Sequence, residues 1–184
     1  MELKARSKMG IKHLSFLRVG LMPMFLALFA IILLQGCSYS FTGASISPSV
    51  KTISVSYLPN NSALVQPTLS RKLTETIRDK FTSQSNLSLV NSNGDLTIEG
   101  EITGYTTEPV AITGDQKAAL QRLKITVNIR FTNKQDSKQD FETSFSRYSD
   151  YDSQLRLSDV EESLINSISD ELAQDIFNKA VVNW

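Results

Sequence analysis

Arg122-Leu123-Lys124-Ile125-Thr126-Val127-Asn128-Ile129-Arg130-Phe131 is the stretch on which the fold turns. Leu123, Ile125, Val127, Ile129 and Phe131 alternate with Arg122, Lys124, Thr126, Asn128 and Arg130, the period at which successive side chains leave a strand on opposite faces. Such a strand buries one face and wets the other, so its apolar face demands a covering layer.

The flanking segments repeat the pattern. Upstream, Leu96, Ile98 and Ile102 alternate with Thr97, Glu99, Glu101 and Thr103. Gly100 and Gly104 fall in the apolar register, which predicts a bulge or a helix packed close to the backbone. After the Pro109–Asp115 connection comes the quoted stretch, and after the polar Asn133–Gln139 segment Phe141, Thr143 and Phe145 alternate with Glu142, Ser144 and Ser146. Two antiparallel hairpin connections join these three strands. Nearer the N-terminus, Ile53, Val55 and Tyr57 alternate with Ser54 and Ser56 until Pro59-Asn60-Asn61 stops the strand. The short apolar piece Leu87, Leu89 and Val90, before the turn signal Asn91-Ser92-Asn93-Gly94, receives no strand of its own.

Two segments carry the period of a helix. Leu69, Leu73, Ile77 and Phe81 recur every four residues among Arg71, Lys72, Glu75, Arg78 and Asp79, and Pro67 suits the first turn. Ser158-Asp159-Val160-Glu161 reads as a capping box, so a second helix is expected to start at Ser158. Its stripe of Val160, Leu164, Ile165, Ile168, Leu172, Ile176 and Phe177 runs almost to Trp184 and is wide enough to cover a sheet. The order β-α-β-β-β-α, with one apolar face per element, predicts an α+β two-layer sandwich: two helices on one face of a four-stranded sheet. The other face, with Glu99, Glu101, Arg122, Lys124, Arg130 and Glu142, is expected to stay wet or to meet something polar.

Ahead of this domain the chain reads as an export signal. Lys4, Arg6, Lys8, Lys12 and Arg18 stand against one acid, Glu2, and precede the apolar run Val19–Leu34. That run has 16 residues and carries Pro23, whereas a spanning helix needs about 20 apolar residues. Leu34-Gln35-Gly36-Cys37 ends it with the only cysteine of the chain and resembles a bacterial lipoprotein signal, with Cys37 as the lipidated first mature residue. The alternatives are an uncleaved signal anchor and a buried helix with an incidental thiol. The second fits least, because nothing polar interrupts the run to give it a solvent face. The organisation expected is residues 1–36 as signal peptide, 37–50 as a lipidated, Ser-rich tether and 51–184 as the α+β domain.

Removing residues 1–36 takes five of 19 basic residues and one of 19 acidic ones, leaving 14 against 18 and a net charge of −4. A slightly acidic domain with no basic cluster argues against nucleic acid as a partner. The only histidine, His13, leaves with the signal, and Cys37 would be acylated. Ser-His-Asp and Cys-His chemistry is therefore closed, and zinc sites usually need the same residues. Asp150 and Asp152 flank Tyr151, but neither the spacing of a calcium loop nor a paired-acid or glycine-rich phosphate motif is present. No catalytic residue, metal site or cofactor is expected.

Tyr39-Ser40-Phe41-Thr42-Gly43-Ala44-Ser45-Ile46 just after the cysteine, Gly94-Asp95-Leu96 leading to Gly100 and Tyr105, Arg122-Leu123-Lys124-Ile125, and the closing Asp175-Ile176-Phe177-Asn178 to Asn183-Trp184 together resemble the LptE-like lipopolysaccharide-assembly lipoproteins of Bacteroidetes. The resemblance implies a non-enzymatic outer-membrane lipoprotein that plugs and supports an LptD-type β-barrel translocon and helps place lipopolysaccharide. It implies diacylglycerol on the Cys37 thiol and a third acyl chain on the new amino group, enough for stable anchoring. Arg122, Lys124 and Arg130 form the only strand-borne basic row, suited to phosphate or carboxylate groups of a glycolipid. The competing expectation for them is cross-strand pairing with Glu99, Glu101 or Glu142. Two other functions stay open: an envelope lipoprotein of similar build that binds another component, and a carboxylate-based hydrolase.

Overall fold

The computed structural model describes residues 46–110 and 120–182. The expected signal peptide, Cys37, most of the expected tether, residues 111–119 and Asn183-Trp184 lie outside them. The elements run β1 (Thr52–Val55), α1 (Leu69–Gln84), β2 (Ser88–Val90), β3 (Leu96–Val110), β4 (Leu120–Asn133), β5 (Phe141–Asp152) and α2 (Leu157–Phe177), with a short 3-10 turn at Ser137–Gln139 and a π-helical turn at Asn178–Val182.

Five strands, where the sequence predicts four, form one mixed sheet in the order β2-β1-β3-β4-β5. β1 is parallel to both β2 and β3, while β3, β4 and β5 form the expected antiparallel meander. The unpredicted strand is β2, the apolar piece around Leu89. Three residues are too few to show alternation, and two strands flanking a third in parallel ordinarily need a crossover of a dozen residues. Here Asn91–Asp95 suffices, because Gly94 passes directly over the Ile53–Ser54 peptide. A Cβ on Gly94 would stand 2.6 Å from the Ser54 nitrogen and 2.8 Å from the Ile53 carbonyl carbon. The adjoining Asn93 adopts the left-handed conformation, φ 59°.

Asp95 locks this crossover. One carboxylate oxygen accepts from the Lys51 and Thr52 amides, both at 2.9 Å, and from the Thr52 hydroxyl at 2.8 Å. These hydrogen bonds to the charged form, the Lys51 amide foremost, hold its pKa below the ordinary value.

Both helices cover one face of the sheet. Leu69, Leu73, Ile77 and Phe81 of α1 and Ile168, Leu172 and Ile176 of α2 are fully buried, as are Leu123, Ile125, Val127 and Ile129 of β4. Phe81 meets Phe177 edge to face, with ring centroids 5.1 Å apart. Val50 is buried and Ile46 packs on the core, so Ile46–Val50, the end of the expected tether, already belongs to the domain.

Local expectations fail where one residue shifts the phase. β1 ends at Val55, and the buried place expected for Tyr57 goes to Leu58. In β3 the register slips between Ile102 and Gly104, the bulge that the glycines foreshadow, and Tyr105 rather than Gly104 takes the inner face. Gly100 lies close to the β4 backbone, not to a helix: a Cβ there would run into the Asn128 carbonyl oxygen. α2 begins at Leu157, and the capping box does not form. The Ser158 hydroxyl donates to Asp159 at 3.2 Å, and Glu161 instead accepts from the Tyr105 hydroxyl and, at 3.3 Å, from the Gln66 amide. The short connection brings Glu161 under β3, where partners outside the helix win it.

Candidate functional site

The uncovered sheet face is built by the outward rows of β3, β4 and β5. The register sets Arg122 opposite Asp150, Lys124 opposite Tyr148, Asn128 opposite Ser144 and Arg130 opposite Glu142. Each arginine takes the acid on its cross-strand neighbour. Arg122 makes a two-pronged pair with Asp150, Nε to Oδ1 at 2.7 Å and Nη2 to Oδ2 at 2.9 Å, and its guanidinium lies 3.6 Å from the centroid of the Tyr148 ring. Arg130 places Nε and Nη2 on one Glu142 oxygen at 3.1 and 3.0 Å, while Asn128 donates to the other at 3.1 Å.

These contacts shift the titrations. The hydrogen bond from Arg122 holds the Asp150 carboxyl below the usual carboxylate range, and Arg130 followed by Asn128 does the same to Glu142. Reciprocally, Asp150 raises the pKa of Arg122. Lys124 is exposed between the two pairs and makes no ion pair among the described residues. The structure therefore brings Arg122, Lys124 and Arg130 into one row. Two of the three charges are balanced by acids of β5, and Lys124 is the one for which no ion pair is seen among the described residues.

Toward β1 the face ends in a shallow depression of about 250 Å³ lined by Pro59, Glu99, Gly100, Glu101, Asn128 and Arg130. Here Glu101 accepts from the Asn61 side-chain amide at 2.5 Å. The loop after β1 runs alongside β3, with the Asn61 amide on the Ile102 carbonyl at 2.9 Å, so polar groups also rim the sheet.

Apolar exposure also occurs off this face, at Leu64 and Val65 on the loop after β1 (59 and 66 % exposed) and at Leu155, which follows β5 at the end of the sheet where β3 finishes and β4 starts. Ile46–Lys51 enters at the other end, beside the start of β1. Leu64 and Val65 belong to no periodic element, and that was the available signal for them: apolar residues in a loop between Asn60-Asn61-Ser62 and Pro67 have no core to enter. Tyr148 and Asp150 were missed as partners because pairing depends on a register that the sequence leaves open.

Among the described residues no three His, Cys, Asp or Glu side chains converge on a point, and no helix is long and apolar enough to cross a membrane. Cys37 lies outside those residues.

Residues 50–180 match the model of the LptE family, described as lipopolysaccharide-assembly. No curated protein matches the chain in sequence. Among solved structures, the chain is similar to a minor lipoprotein from Acinetobacter baumannii, at 20 % identity, covering 67 % of this chain and 91 % of that one with a TM-score of 0.44. It is also similar to protein CT253 from Chlamydia trachomatis, at 9 % identity, 73 and 100 % coverage and a TM-score of 0.49. Lipoprotein GNA1162 from Neisseria meningitidis aligns at 12 % identity, 67 and 99 % coverage and a TM-score of 0.38.

Proposed function

Because the chain belongs to the LptE family of lipopolysaccharide-assembly proteins, we propose that it is an outer-membrane lipoprotein that plugs and supports an LptD-type β-barrel translocon. Membership implies a role in lipopolysaccharide assembly together with LptD, in a family of non-enzymatic lipoproteins. The observation that carries the reading is coincidence: the family match over residues 50–180 spans the same residues that build the two-layer domain.

Three features support the plug role. A barrel lumen is polar, and the open sheet face offers hydroxyl, amide and internally balanced ionic groups to it. The Ile46–Lys51 segment enters at the end of the sheet opposite Leu155. With residues 1–36 removed as signal peptide and Cys37 acylated, the chain between Cys37 and Ile46 ties the domain to its lipid. The tether also raises the effective concentration of the domain near a membrane-embedded partner.

In this reading Lys124, flanked by Arg122 and Arg130, is the contact for an anionic group of lipopolysaccharide.

Depletion of the protein in its native cell tests the role. The expected result is loss of newly made lipopolysaccharide from the cell surface together with loss of folded barrel. Normal surface lipopolysaccharide and normal barrel in depleted cells would sink it.

A further inference from the structure

One end of the sheet collects lysines. The starts of β1, β3 and β5 and the end of β4 lie together there, since Ile53 pairs with Leu96, Leu96 with Asn133 and Phe131 with Phe141. Lys51 precedes β1 and Lys134 follows β4, while Lys138 sits in the 3-10 turn and Lys179 in the π-helical turn, 5.8 Å from the centroid of the Phe141 ring. All are exposed, and every ion pair among the described residues is made by an arginine, so none of these lysines has an acid of its own. Three acids share this end. Asp95 accepts from the Lys51 and Thr52 amides, Asp136 from the Lys138 amide and Asp140 from the Asn133 amide, so each carboxylate is turned to the backbone. The Lys134 ammonium donates to a neutral acceptor, the Asn93 carbonyl, at 2.9 Å. Between Lys51 and the end of α1 runs a groove of about 660 Å³, walled by Ile46 and Pro48, whose lining holds Lys51 and no acid. The opposite end has the other sign: the register sets Glu108 and Asp150 on either side of Arg122, and Asp152 follows.

We infer that this lysine-bearing end rests on the anionic phospholipid headgroups of the leaflet that holds the anchor. Chain length and charge both select that partner. Ile46 comes nine residues after Cys37, a reach of at most about 30 Å, and it enters the domain at this end rather than at the acidic one. Ammonium groups without acids of their own are attracted to a layer of phosphates, and the attraction acts within about a Debye length, ~10 Å, of the surface. Acyl chains hold the domain near the bilayer, and the lysines decide which end turns to it. Glu108, Asp150 and Asp152 then point away from the leaflet. The inference rests on the acylation of Cys37 in the reading above and adds the orientation of the domain.

The mature protein is purified from membranes, its N-terminus is read by mass spectrometry, and it is placed in nanodiscs of phosphatidylcholine alone or of phosphatidylcholine with phosphatidylglycerol. Amide hydrogen exchange is compared between the two. The expected result is about fivefold slower exchange across Ser47–Lys51 and Lys134–Asp140 with phosphatidylglycerol, and no change across Asp150–Leu155 at the other end. Raised salt removes the difference in the unaltered protein, because the attraction is screened. Lys51→Gln, Lys138→Gln and Lys179→Gln together also remove it, with Lys134 left in place because its ammonium bonds Asn93. Equal exchange in the two nanodiscs while Cys37 is acylated overturns the orientation and leaves the lipoprotein reading standing. So does equal slowing at both ends of the sheet, or the same slowing by inorganic phosphate in phosphatidylcholine nanodiscs, which assigns the lysines to a soluble anion. An N-terminus without acyl groups on Cys37 brings down both.

Discussion

The Tyr105 hydroxyl donates a hydrogen bond to Glu161, tying the end of β3 beyond its bulge to the first turn of α2. Tyr105 is almost fully buried, and burial followed by the Glu161 carboxylate raises the pKa of its phenol. The same carboxylate accepts from Gln66, so strand, helix and the loop after β1 meet at one side chain.

Removing that hydroxyl leaves the carboxylate short of a donor. Tyr105→Phe is expected to destabilise the domain by about 1–2 kcal/mol, whereas Glu161→Gln, which can still accept from Tyr105, costs less. Urea unfolding of the two variants checks the order. A Tyr105→Phe midpoint equal to that of the parent contradicts it.

Gly94→Ala is expected to be more damaging than its small size suggests. The new Cβ meets the β1 backbone, which cannot turn aside as a flexible side chain would, so a loss of about 2 kcal/mol or more follows. Thermal unfolding is the measurement, and a Tm within a degree or so of the parent would show that the crossover over β1 is wrong.

The carboxylates predict the response to acid. Asp95, Glu142 and Asp150 all titrate below their ordinary values in the folded protein, so the unfolded chain binds protons first as pH falls. Their contribution is complete above the unfolded values, near 3.8 for Asp and 4.5 for Glu, and is lost as pH drops through the lower folded ones. Denaturant midpoints are expected to hold from neutrality to about pH 5 and then fall. In Asp95→Asn the fall is shallower. An identical pH profile in that variant would remove Asp95 from the account.

Within the basic row, the response to substitution is expected to be unequal. Lys124→Ser lowers lipopolysaccharide binding, by up to about tenfold for a lost charge-assisted contact, more than Arg130→Ser does, because Arg130 already serves Glu142. Equal binding by a folded triple Arg122, Lys124, Arg130 to Ser variant excludes this row as the contact.

The meander and both helices were legible because each is long enough for its period to declare itself: five alternating pairs in β4, and three successive four-residue steps of apolar spacing in α1 from Leu69 to Phe81. What escaped depends on distance in space. β2 shows only Leu89 and Val90 beside a turn, and its place next to β1 rests on Gly94 fitting over a peptide bond. Ser158 and Glu161 carry the spacing of a capping box, yet the hydroxyl of Tyr105, brought inward by the bulge, takes the glutamate. The row of Arg122, Lys124 and Arg130 could be read from β4 alone. Cross-strand pairing with Glu142 was among the expectations, and Arg130 makes it, whereas Asp150 as the partner of Arg122 could not be read, since the two become neighbours only through the register of β5.

Affinity purification of the tagged native protein from membranes in mild detergent tests the central claim most directly, with mass spectrometry of its partners and of its mature N-terminus. The account predicts a stoichiometric large β-barrel together with an acylated N-terminal Cys37. Acylated Cys37 without a barrel contradicts the plug and points to another envelope component, and an intact Met1 contradicts the lipoprotein itself.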